Sequence, residues 1–145
     1  MKNHVYQPRS AYPIAFYARL SNDITTIGDN QAIEYNEVIT NLGHGYDSRH
    51  GHFIAPIDGI YIFAVTAMGE PNEALHLNIV KNGAIVGYAR AALSTEYESG
   101  TAVITLSLVA GDMVWVRYGS SIGSASRKVH GGGFNTFSGA LLATL

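Results

Sequence analysis

Gly51-His-Phe-Ile-Ala-Pro-Ile-Asp-Gly-Ile-Tyr-Ile-Phe-Ala-Val-Thr-Ala-Met68 is the stretch whose reading decides the fold. Pro56 ends a short strand, Gly59 bends the chain, and a long apolar strand follows. Side chains alternate along a strand. Ile60, Ile62, Ala64 and Thr66 therefore face one way, and Tyr61, Phe63, Val65 and Ala67 the other. Both faces are apolar, whereas a sandwich strand normally buries one face and wets the other. The strand needs a second cover, and a neighbouring subunit is the most economical one. The stretch predicts an oligomeric β-sandwich.

Working outward, Ile14–Leu20 and Ile33–Ile39 read as strands before it, with a loop over Asn41–His50. After it, Leu75–Lys81 alternates cleanly, Asn82-Gly83 marks a two-residue hairpin because both positions tolerate positive φ, and Ala84–Ala91 returns. Thr101–Val109, Met113–Tyr118 and Phe134–Leu145 complete the strands, separated by Ser94–Gly100, Gly111-Asp112 and the Gly/Ser-rich Gly119–Gly133. Turn signals recur every ~8–12 residues, the spacing of a sandwich or barrel. No stretch combines helical periodicity with caps. Residues 1–11 read as a flexible tail and 12–145 as one domain.

Composition narrows the function classes. Charged residues make up 14% and hydrophobics 47% of 145 residues, which excludes a disordered chain. A net charge of -2 argues against general nucleic-acid binding. No run reaches the roughly 18 apolar residues of a membrane helix, so no membrane insertion is expected. The first residues show no secretory signal pattern. With no cysteine, neither a disulfide nor a thiolate metal site is available.

The pattern resembles the globular head domain of complement C1q, in the C1q/TNF-like superfamily. Ala15-Phe16 resembles that family's Ala-Phe start, and Tyr35-Asn-Glu-Val38 its Phe-Asp-x-Val segment. Gly51-His-Phe53, Pro56 and Gly59-Ile-Tyr-Ile-Phe63 resemble its Gly-x-Phe…Pro-x-x-Gly-x-Tyr-x-Phe signature. Leu106 to Asp112 with Val114-Trp-Val116 resembles its Leu…Gly-Asp-x-Val-Trp-Val segment, and Phe137-Ser-Gly139 with Leu141-Leu142 its Phe-Ser-Gly-x-Leu ending. The resemblance implies an all-β, ten-stranded jelly-roll sandwich assembling as a homotrimer. No collagen-like Gly-X-Y stalk precedes the domain, so the expected form is the stand-alone, secreted kind common in invertebrates. Such proteins act as pattern-recognition lectins.

Arg127, Lys128 and His130 cluster in the Gly-rich loop and are the candidate ligand-binding residues. Loops at a sandwich end collect recognition residues, and cations with exposed backbone donors suit phosphate or carboxylate groups on glycolipids. A solubilising surface loop is the competing reading. Arg90 and Arg117 lie on strands whose facing the sequence leaves open. Some members of the resembled family bind calcium near the loop before the Thr101 strand, close to the threefold axis. Glu96 and Glu98 are therefore the candidate calcium ligands, set against a solvated loop that lacks the usual Asp companions.

His50 and His52, two apart with His44 before them, have a spacing open to zinc or copper; with no accompanying carboxylate motif or second pair, ordinary exposed or partly packed histidines are preferred. Gly119-Ser-Ser121-Ile-Gly123 matches the nucleophile-elbow pattern, but no Asp or Glu follows Ser121. No enzyme is expected. Asp112 reads as turn chemistry. Tyr35, Tyr61, Phe63 and Phe137 are assigned to the core or trimer interface, with Phe53 and Trp115 beside them. The expected function is a pattern-recognition lectin of innate immunity whose partners are its own copies and microbial glycans, glycolipids or lipopolysaccharide. The alternative is a protein ligand engaging a receptor or adhesion partner.

Overall fold

The computed structural model describes residues 13–119 and 127–145. The expected tail over residues 1–11 and the Ser121 motif lie outside them. Ten strands follow in order: β1 Ala15–Arg19, β2 Glu37–Leu42, β3 Tyr46–Asp47, β4 His52–Ile54, β5 Gly59–Met68, β6 Leu75–Lys81, β7 Ala84–Ala91, β8 Ser99–Leu108, β9 Met113–Tyr118 and β10 Thr136–Thr144. They form two five-stranded antiparallel sheets, β2-β1-β10-β5-β8 and β3-β4-β9-β6-β7. This is the two-sheet, jelly-roll sandwich that the resemblance implied. No helix among the described residues is long and apolar enough to cross a membrane.

β5 sits between β10 and β8, and its alternation holds along its whole length. Tyr61, Phe63, Val65 and Ala67 are completely buried between the sheets, while Ile60, Ile62, Ala64, Thr66 and Met68 look outward, half-buried. The aromatic rings assemble around Phe16, which stacks on Tyr46 and Phe53 and meets Phe137 edge-on at 4.8 Å between centroids. Offset and edge-on contacts of this kind add to the burial of the rings. Gly139 is fixed by the same cluster: a Cβ there would lie 2.6 Å from Phe63 and 2.7 Å from Phe16. The hairpin between β6 and β7 turns at Asn82 and Gly83 with φ of 49° and 91°, as the dipeptide demanded.

Three expectations change. The second strand begins at Glu37 rather than Ile33, because residues 31–36 cross between the sheets. Ala32 bridges to Arg117 and Ile33 N–H donates to the Val116 carbonyl of the second sheet, before β2 joins β1 in the first. Ile33 and Tyr35 are buried by this crossing. The stretch read as a loop over 41–50 contains the end of β2 and the short β3. Trp115 is not a core ring. Val114, Val116 and Tyr118 take the inward positions of β9, so the intervening Trp115 faces outward and packs on His52 at 4.8 Å.

Candidate functional site

The loops that follow β1, β5, β7 and β9 gather at one end of the sandwich. A buried side chain staples them. Asn135, with no solvent exposure, donates from Nδ2 to the carbonyls of Met68 (3.0 Å) and His130 (2.8 Å) and accepts the Met68 N–H on Oδ1 at 3.0 Å. Ile24 and Val129 exchange two backbone bonds of 2.9 Å across the same loops. These bonds fasten the Arg127–His130 segment to the loop after β1.

The segment's cations are already partnered. Arg127 pairs with Asp29 and lies 5.1 Å from the centre of the Tyr118 ring. Lys128 Nζ stands 3.3 Å from both Asp23 and Glu70. His130 Nδ1 is 3.0 Å from Glu70 and 3.7 Å from Asp23. The N–H of Gly131, at 2.7 Å, is the main reason the Asp23 carboxyl titrates below the usual range; partial burial opposes it and the Lys128 ammonium adds to it. Asp23, and after it Glu70, hold the Lys128 ammonium above its ordinary value. Arg127, Lys128 and His130 thus face the three carboxylates of Asp23, Asp29 and Glu70, so this end lacks the positive excess that a phosphate ester needs.

Asp23, Glu70 and His130 have the types and spacing of a metal-ligand group, but the Lys128 ammonium takes up both carboxylates where an ion would sit. Glu96 and Glu98 are both exposed in the loop after β7. On one protomer the pair falls short of the six to eight oxygens that calcium takes. His50 turns Nδ1 to Asp47 at 2.9 Å, and this bond leads the pull of the Asp47 carboxyl down to about 2. His52 packs on Trp115 at 4.8 Å, and its ring lies 6.0 Å from that of His50, whose Nδ1 is already engaged by Asp47.

The sequence pointed to Lys128 and His130 but not to the rings around them. Tyr97 lies 4.9 Å and Phe134 5.5 Å from the His130 ring, and each is 52% exposed. Beside these rings are Glu70, Asp23 and Lys128, all able to exchange hydrogen bonds with hydroxyls. No local pattern marks this grouping, because Asp23, Glu70, Tyr97 and His130 come from four loops far apart in sequence. Arg90 and Arg117 do not join it. They face outward from β7 and β9 on the second sheet.

Comparison with known proteins follows the fold closely. The C1q domain family model matches residues 15–142. The chain is 33% identical over 134 residues to mouse (Mus musculus) "Complement C1q tumor necrosis factor-related protein 3", covering 89% of this chain and 51% of that protein. It is 30% identical over 131 residues to Mus musculus "Multimerin-2", covering 86% of this chain and 13% of that protein. The chain therefore spans about half the length of the first relative and less of the second. Among solved structures, the globular domain of the zebrafish complement 1qA protein superposes with a TM-score of 0.76 at 18% identity, covering 92% of this chain and 99% of that one. Eiger TNF from S. frugiperda superposes at 0.72 and 14% identity, covering 93% and 96%.

Proposed function

The chain belongs to the C1q domain family, and from that premise we propose that it works as a secreted homotrimeric recognition protein that binds microbial glycans, including the saccharide of lipopolysaccharide. The observation that carries the reading is the exposed Tyr97–His130–Phe134 ring group beside Glu70 and Asp23. Ring faces take the C–H side of a pyranose, and neighbouring carboxylates accept its hydroxyls. The outward side of β5 supports the trimer. Ile62, Ala64, Val103, Ser138 and Ala140 line a shallow depression of about 330 Å³ there with no charged side chain. Three copies of a weak sugar site on one axis raise avidity without any new contact.

A glycan array read with and without EDTA tests this directly. The expected result is binding to a neutral microbial polysaccharide that falls at least tenfold in Tyr97→Ala and Phe134→Ala. Absence of any glycan signal from a folded, assembled protein would overturn the reading. The EDTA arm tests calcium at Glu96 and Glu98, whose ligand set the neighbouring subunits would have to complete. A second reading is favoured by the mouse relative, whose name relates it to tumor necrosis factor. In it the trimer engages a protein receptor or adhesion partner, and binding to cells survives competition by free sugars.

A further inference from the structure

The outward face of the second sheet holds a group of side chains that the loop-end reading does not use. Arg117 on β9, Asn78 on β6 and Tyr88 on β7 are directly paired across the sheet and form one row. His76 on β6 and Arg90 on β7 form the next row on the same face. Among the described residues neither arginine is in an ion pair. Arg117 Nε is shut off from water and has no hydrogen-bond acceptor. Asp47, on the far strand of this sheet, is held by Arg49 and His50, and the exposed Glu34 follows the Ala32 bridge to Arg117 without an ion pair among the described residues. Tyr88 is 70% exposed.

The geometry points to an oxyanion-binding site made by Arg117, Asn78, Tyr88, His76 and Arg90, and to a sulfated or phosphorylated saccharide as its ligand. Guanidinium groups engage an ester oxyanion with paired, parallel donors. Asn78 donates to a ring hydroxyl, and the Tyr88 ring offers a face for the sugar. Size selects the saccharide over a long polyanion. Three adjacent strands span about 10 Å and a two-residue step about 7 Å, which is the area of one or two pyranose rings. Burial and then the Arg90 charge hold the His76 imidazole below its ordinary value, which places the Arg90 charge close to His76. This site stands apart from the loop-end site, and it survives if no neutral glycan binds there.

The test is titration of the folded, assembled protein with a sulfated disaccharide, a phosphorylated one and the neutral parent, followed by calorimetry and by the NMR signals of His76 and Tyr88. The expected result is binding of one or both esters, shifts confined to those signals and their neighbours, and no response to the neutral parent. Arg90→Ala should weaken binding about tenfold, and Arg90→Glu with Tyr88→Ala should abolish it. Both positions are exposed, so these variants keep the fold even if Arg117→Ala does not. The proposal fails if the esters bind unchanged to the Arg90→Glu, Tyr88→Ala variant, or if shifts map elsewhere. It also fails if a phosphopeptide or duplex DNA binds more tightly than either saccharide, or if no ester binds.

Discussion

The two outward faces of this sandwich are built on opposite chemistry. On the first sheet, β5, β10 and β8 present Ile62, Ala64, Ala140 and Val103, with Val103 61% exposed. Among the described residues, charge appears on this sheet's strands at the margin, where Arg19 pairs with Glu37. On the second sheet, β9, β6 and β7 present Trp115, Arg117, Asn78, His76, Arg90 and Tyr88. A pleated sheet has two sides, and the shared core uses one side of each. What remains records what each face meets: a face free of charge suits a surface that must lose its water, and a face of unpaired cations suits one that keeps it.

The largest effects should come from the two sides of β5. Tyr61→Asp places a carboxylate where the ring is completely buried. A lost aromatic core residue and an unpaired buried charge together cost roughly 5 kcal/mol or more, comparable to the whole stability of a domain. The expected outcome is loss of the cooperative melt in circular dichroism. Ile62→Asp, one residue on, points outward and should keep the fold but release single protomers in sedimentation. If Ile62→Asp sediments as a trimer with unchanged melting, the uncharged face is not the joint between copies.

On the other sheet, Arg90→Glu with Tyr88→Ala should sediment like the parent and melt within about 4 degrees of it, since exposed substitutions usually stay within ~0.5 kcal/mol each. A change in assembly would reverse the assignment of the two faces. The smallest effect is on pH. Burial first, then the His50 charge at His52 and the Arg90 charge at His76, hold both imidazoles below the ordinary value of 6.5, with Asp47 opposing at His52. The unfolded chain then binds more protons than the folded one below that pH. Their contribution is full above about 6.5 and is lost as pH falls through the lower folded values. Melting measured from pH 7 to 5 should drop by a few degrees, and the drop should shrink in His76→Asn. Asp23, Asp47 and Asp112 also titrate below the ordinary carboxylate range, so their loss begins only under about pH 4.

Much of the fold was legible because alternation is a local property. Leu75–Lys81 and Met113–Tyr118 carry their strand limits in their own residues, and Asn82-Gly83 announces its turn. The crossing at residues 31–36 was missed because its apolar residues are buried by passing between sheets, which imitates a strand. Trp115 stands inside a strand and so read as core or interface, and the parity set by Val114 and Val116 turned it out of the core.

The site was legible only in part. Lys128 and His130 stand close in sequence, but the carboxylates that hold them come from Asp23 and Glu70. Nothing near Arg117 in sequence reveals that Arg90 faces the same way, since their shared neighbours on β6 arise from sheet order. The chain's own residues therefore determined the class of fold, the two-sided apolar strand and most strand limits, because backbone geometry converts neighbouring side chains into faces without reference to anything distant. Which loops meet, which cations are paired and which face is left basic were decided by the tertiary structure, because those outcomes depend on contacts closed between residues as far apart as Asp23 and Lys128.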